Sequence, residues 1–256
     1  MTTPWPGGAL ALALGVFVAP TPARAADATT DIDISRITLR LPDTNWKVSG
    51  VLPFGVAVQD SGLTVGGEGR LLVAGVPGTR DELVMQVSAT RGQGRVTMHA
   101  ECDASDGVYV RKFNRGQSNY IPLQCLRVEG PVRLPADLAM FGEGFAAAMA
   151  AQHIAPPPDG YVVSVTVCNE NGAIVEILAL AGSHLVGLDA APAVTAVPRG
   201  MSPAIVAWAD KLAEGALGTL SSWSGRMSVP TVVFTTPASR PEALNTALAG
   251  VDATKD

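Results

Sequence analysis

The stretch that decides the fold reads Tyr161-Val-Val-Ser-Val-Thr-Val-Cys168, then Asn169-Glu-Asn-Gly172, then Ala173-Ile-Val-Glu-Ile-Leu-Ala-Leu180. Two apolar, β-branched runs flank an Asn-Gly pair. Asn-Gly suits the positive φ angles of a tight turn, so the segment predicts antiparallel strands at 161–168 and 173–180. Upstream, Pro135-Ala-Asp-Leu138 opens a predicted helix running to about His153. Leu138, Phe141, Phe145, Ala148 and Met149 recur there at helical spacing. Pro156-Pro-Pro-Asp-Gly160 ends it. Downstream, residues 189–200 read as a connector. Ser202-Pro203 is a helix start, with Ser as N-cap and Pro at the first helical position. Ile205, Trp208, Ala209, Leu212, Ala216 and Leu220 form its apolar face. A last strand is predicted at 229–235 and a short helix at 241–249.

The first half has a different texture. Strand-like segments at 37–41, 46–48, 55–58, 70–75, 83–90, 95–100, 107–113 and 121–128 are short and bounded by Gly, Pro or Asp. Arg91-Gly-Gln-Gly94 reads as a hairpin turn, Gly66-Gly-Glu-Gly69 as another turn, and 26–35 as a polar leader. Antiparallel sandwiches and small barrels read this way. The expected fold is therefore α+β: an antiparallel β-rich N-terminal half (sandwich or small barrel) followed by an α-β-β-α-β half. The expected divisions are a signal segment 1–25, a β-rich domain 26–134, an α+β domain 135–236 and a tail 237–256. If 121–128 joins the second half, its order becomes β-α-β-β-α-β, a split βαβ arrangement.

Gly160-Tyr-Val-Val-Ser-Val-Thr-Val, the Asn-Gly turn, Ile174-Val-Glu-Ile-Leu-Ala-Leu, Ala181-Gly182 and Leu188-Asp-Ala-Ala191 resemble the hairpin of TonB-type C-terminal periplasmic domains. The resemblance covers residues 160–191. It implies a periplasmic α-β-β-α-β domain that engages outer-membrane receptors by strand pairing. It further implies that 229–234 lie beside the 161–180 hairpin and leave a free edge.

Composition bounds the function. The 256 residues are 47% hydrophobic and 16% charged, a composition that can bury a core. The net charge of -5 lacks the basic footprint that nucleic acid requires, so no nucleic acid is expected as partner. Near the start, the apolar run Gly7–Ala19 is broken by Pro20 and Pro22 and followed by Ala23-Arg24-Ala25, a small-x-small cleavage pattern. The run falls short of the ~20 residues of a membrane span. Residues 1–25 read as a secretory signal, and no transmembrane segment is expected in the mature chain. The segment ahead of the run carries no Lys or Arg, so a retained anchor stays open. Losing Arg24, the one charged side chain there, would take the net charge from -5 to -6. The expected location is periplasmic or secreted.

An oxidising compartment makes a disulfide plausible among the three cysteines. Cys102 and Cys125, on neighbouring predicted strands, are the first choice, leaving Cys168 as a buried thiol. Three buried thiols or an intermolecular bridge are the alternatives.

Catalytic constellations are sparse. His99, His153 and His184 have no partners at metal-ligand spacing on a shared element, so no metal and no cofactor are expected. His99 and Glu101 share one strand face, which an ordinary surface pair also explains. Neither G-x-S-x-G nor H-E-x-x-H occurs. Gly142-Glu-Gly-Phe-Ala-Ala147 matches G-x-G-x-x-A, but it lies inside a helical pattern rather than after a strand. Glu68 and Asp81, and Asp103 with Asp106, are further acidic sets that ordinary turns explain.

The richest local candidate is Arg111, Lys112, Arg115, Gln117, Asn119 and Tyr120. These cations and amides could bind an anion, a glycan or a partner's acidic edge. A solvated hairpin loop explains the same residues. The expected function is a non-catalytic exported protein that binds a protein or cell-envelope component. The alternatives are a hydrolase with loop-borne catalytic residues and a TonB-like interaction domain. A deep pocket holding a perturbed His, Asp or Glu favours a hydrolase. A flat surface with an exposed strand edge favours binding.

Overall fold

The computed structural model describes residues 31–42, 45–57, 64–90, 102–113, 124–134, 138, 141, 143–169, 173–185, 197–221 and 225–234. The signal segment, the hairpin turn 91–94 with the strand after it, the His99/Glu101 pair and the tail helix lie outside these residues.

The elements are β1 (Asp31–Ile34), β2 (Ile37–Arg40), β3 (Lys47–Val48), β4 (Leu52–Ala57), β5 (Thr64–Gly75), β6 (Glu82–Thr90), β7 (Val108–Lys112) and β8 (Gln124–Arg133). They continue as α1 (Glu143–Ala151), β9 (Asp159–Cys168), β10 (Ile174–Gly182), α2 (Pro203–Ser221) and β11 (Arg226–Ser228). The chain is a β-rich α+β fold built on one eight-stranded sheet in the order β3-β5-β6-β10-β9-β8-β7, with β4 also on β5. All its pairings are antiparallel. A three-stranded sheet, β1-β2-β11, stands apart from it.

The 161–180 hairpin forms as read, with Ile174 opposite Cys168 and Gly182 opposite Gly160. Asn169 closes it, its backbone N–H donating to the Ala173 carbonyl and its side-chain oxygen accepting from the Ala173 N–H, both at 3.0 Å. The hairpin lies at the centre of the sheet. β6 flanks β10 and β8 flanks β9, so neither strand offers a free edge, and residues 229–234 do not pair beside them. These same pairings carry the sheet across residue 134, where the two halves were expected to meet.

Strand alternation sends one set of side chains to each face. On one face Leu72, Met85, Val87, Ile177, Val163 and Leu126 pack against Ile205, Trp208, Ala209 and Leu212 of α2 and against Ile32, Ile34, Leu39 and Met227 of the small sheet. On the other, Leu71, Val84 and Leu180 pack against Phe145, Ala148 and Met149 of α1. Each large side chain fully buried in these layers contributes on the order of 1.5–3 kcal/mol. The helices therefore cover opposite faces, and β11 joins β2 in the second sheet. This differs from a split βαβ unit, whose helices share one face.

Four local expectations are corrected. Residues 66–69 lie inside β5 rather than in a turn. A Cβ at Gly67 would meet the Ala89 carbonyl at 2.1 Å, and one at Gly69 would meet Ser88 Oγ at 2.7 Å, so the glycines permit close strand approach. Residues 31–34 are β1, not polar leader, and Asp-Ile-Asp-Ile alternates exposed and buried. Helix α1 begins at Glu143, not Pro135, while Leu138 and Phe141 precede it and still join its cluster. The last strand is 226–228, and Phe234 makes only a bridge to Leu185.

Cys102 and Cys125 form a disulfide with Cα atoms 5.9 Å apart. Cys168 is a buried thiol outside the disulfide, and burial pushes its pKa up to about 11. Among the described residues no helix is long and apolar enough to cross a membrane.

Candidate functional site

The α1 face of the large sheet changes character along its strands. Near one end it is apolar, where Leu71, Val84 and Leu180 meet α1. Two residues further along, it turns polar. Register places Ser88 beside Glu176, and Glu176 beside Thr166. In the adjacent row Gln86 pairs with Leu178, and Leu178 with Ser164. These side chains share one face and line a cavity of about 480 Å³. Its walls come from Leu52, Phe54 and Gly55 of β4 and from Phe141, Gly144 and Phe145 at α1.

Local sequence explains the shape. β5 carries no side chain at Gly67 or Gly69, so it runs close along β6, with β4 paired on its other side. Phe141 and Phe145 stand edge to face, with ring centroids 6.4 Å apart. Gly144 lies between them in sequence and leaves the cavity wall open, because a Cβ there would meet nothing within 4 Å.

Glu176 is the cavity's one titratable side chain among the described residues. Desolvation by burial is the sole cause raising its pKa. Among the described residues it has neither a hydrogen-bond donor nor a cation as partner. Gln86 Nε2 donates to Ser88 Oγ at 3.0 Å, while the buried Gln86 Oε1 has no partner among the described residues. The cavity thus holds two acceptors without donors, three hydroxyls and a surround of aromatic and aliphatic carbon.

Arg111 and Lys112, the described part of the charged segment singled out in the sequence, lie elsewhere. Arg111 points to the α2 face, where its guanidinium pairs with Asp210 at 3.1 Å and Glu214 at 3.2 Å and stacks over Phe113 at 4.6 Å. Tyr109 donates to Asp210 at 3.1 Å. Burial, with the neighbouring Asp210 charge, pushes that phenol up to about 12. This cluster fastens β7 to α2. Lys112 turns the other way and pairs with Asp103 at 3.2 Å. Arg115, Gln117, Asn119 and Tyr120 lie outside the described residues.

Glu68 and Asp81 are not brought together. Glu68 accepts the Ser35 N–H at 3.1 Å, while Asp81 meets His184 Nδ1 at 2.9 Å. Beside that pair, Arg80 and Asp159 form an ion pair at 2.7 Å. The Ser183 hydroxyl and Arg80 hold the Asp159 carboxyl below its usual range. Among the described residues no three His, Cys, Asp or Glu side chains converge to hold a metal ion.

No protein family, curated protein or solved structure matches this chain.

Sequence reasoning missed Gln86, Ser88, Ser164, Thr166 and Glu176. Each reads as the solvent side of an alternating strand. A signal existed in 83–90, where apolar residues occupy both phases and mark a strand covered on both faces. Polar residues inside such a strand identify a polar cavity.

Proposed function

We propose that the chain is an exported, non-catalytic binding protein that takes a small molecule into the cavity between α1 and the large sheet. The observation that carries this reading is the convergence of polar side chains from three neighbouring strands on one apolar-walled space. Ligand sites combine these two features: apolar walls supply affinity and a few polar groups supply orientation. The Cys102–Cys125 disulfide supports export, since such bonds persist in oxidising compartments. Partner contacts with an envelope component remain part of the same proposal, through Arg115, Gln117, Asn119 and Tyr120.

The test uses a neutral fluorescent probe, N-phenyl-1-naphthylamine, which brightens on entering apolar pockets. The full chain should bind it. Gly144→Trp places an indole in the cavity wall at a position with open space, so this variant should fold and lose most of the binding. Equal brightening in both proteins defeats the reading.

A second reading, a hydrolase, is favoured by Glu176 itself. A half-buried carboxyl with a raised pKa suits a general acid or base. The binding reading is preferred because the cavity's described lining supplies no second acid, base or cation to share the chemistry. Turnover of any ester or amide panel that disappears in Glu176→Gln would reverse that preference.

A further inference from the structure

We propose that the ligand of this cavity is an amphiphile bearing a single ammonium group, held by the Glu176 carboxylate and the Gln86 amide oxygen, with its apolar body against Phe54, Phe141 and Phe145. This inference rests on the reading of the cavity as a ligand site and names the ligand class.

The argument begins with what is unmatched. Gln86 Oε1 is buried without a donor among the described residues, and Glu176 has neither donor nor cation there. Leaving an acceptor such as Gln86 Oε1 dry is costly, and the half-buried Glu176 carboxylate at the cavity loses part of its hydration as well. Both groups accept, so the missing partner donates. Because one of them is a carboxyl, a positively charged donor answers it best.

The placement suits one small cation. Glu176 pairs in register with Ser88, and Gln86 with Leu178, so the two are diagonal neighbours on adjacent strands and one face. Diagonal positions lie about 7 Å apart, a span that two such side chains and an ammonium between them can bridge. Ser164 and Thr166 on β9 offer further hydroxyl acceptors beside the same spot. The wall is aromatic, and aromatic faces attract cations.

Among the described residues, no cation fills this role. Arg127 shares the face but lies on β8 opposite Ser164, contributes nothing to the Glu176 shift and has an interaction of its own. Lys112, further out on β7, is paired with Asp103. An anionic ligand would set two negative charges together with no cation in the described lining.

The test is displacement of N-phenyl-1-naphthylamine by three compounds of matched shape: phenethylammonium, 2-phenylethanol and phenylacetate. We expect phenethylammonium to displace the probe at concentrations about tenfold or more below those of the alcohol, with phenylacetate weakest. In Glu176→Gln the ammonium's advantage over the alcohol should shrink to about twofold or less. If the alcohol or the acetate matches the ammonium in the wild-type chain, the ammonium assignment falls while the cavity stands. If the probe binds but none of the three displaces it, the ammonium assignment falls in the same way. If the probe binds Gly144→Trp as well as wild type, the cavity reading itself falls. The wild-type series decides the ligand class even if Glu176→Gln folds poorly.

Discussion

Replacing Glu82 with Gln should remove a specific pH dependence of stability. Glu82 is fully buried at the start of β6. Its Oε2 accepts the Gly78 N–H at 2.6 Å, and its Oε1 has no partner among the described residues. Burial pushes the carboxyl from 4.5 up to about 7, against the opposing pull of the Gly78 N–H and the Lys47 charge. An acid whose pKa is raised by folding binds its proton more tightly in the folded state. Its contribution to stability is therefore fully present below the unfolded pKa. It declines as pH rises from about 4.5 and levels off above about 7. Linkage between those two values makes the loss about 2.5 kcal/mol between about pH 5 and about pH 8.

Urea unfolding followed by tryptophan fluorescence at several pH values measures this, with Glu82→Gln as reference. Gln keeps an acceptor for Gly78 and does not titrate. The variant's stability relative to wild type should rise by about 2.5 kcal/mol across that pH range. Lys47→Ala removes the opposing charge and should deepen the wild-type loss. Wild-type and Glu82→Gln curves that stay parallel within about 0.5 kcal/mol would refute the reasoning.

Three further outcomes are expected. Replacing Cys102 and Cys125 together with Ala opens a loop closed across 23 residues and should cost about 3 kcal/mol in urea unfolding; an unchanged midpoint would count against the bond as a stabilising crosslink. Cys168 should resist iodoacetamide in the native protein and react once urea unfolds it, because its thiol is buried and its pKa is raised to about 11; full native labelling would contradict that burial. Trp208→Ala should cost about 3–5 kcal/mol, since the indole is fully buried under the large sheet with its N–H on the Pro230 carbonyl; a loss under about 1 kcal/mol would show that α2 is not fixed by this side chain.

Local signals were read well where one element carried the whole message. Asn171-Gly172 named the central hairpin, and the apolar spacing of 205–220 named α2 and the face it buries. The cysteine pairing expected from neighbouring strands forms, although Cys102 precedes β7 rather than lying in a strand. Signals failed where the answer lay between elements. Gly66, Gly67 and Gly69 look like a turn until β4 and β6 are seen passing close on either side of β5. Asp31 to Ile34 looked too polar for structure, although its alternation is that of a strand with one buried face. Arg111 read as a free cation because its acidic partners, Asp210 and Glu214, lie far along the chain on α2.

The cavity is the sharpest case of this kind. No single strand announces it. Ser164 and Thr166 are ordinary alternating positions of β9, Glu176 is one of β10, and Gln86 and Ser88 interrupt β6. Their meaning comes from register, which sets Ser88, Glu176 and Thr166 side by side. On an open face that row would be unremarked solvated surface. Here Phe141 and Phe145 cover it from one side and β4 from another, so water is partly withdrawn and the Glu176 carboxyl is raised. Valine or leucine at these positions would fill the space and extend the apolar contact with α1, gaining transfer free energy. The fold instead keeps polar groups where burial penalises them, while the opposite face of the same central strands packs apolar side chains against α2. That local departure from apolar packing, with the polar groups gathered around one space, is why the cavity is the place we propose for function.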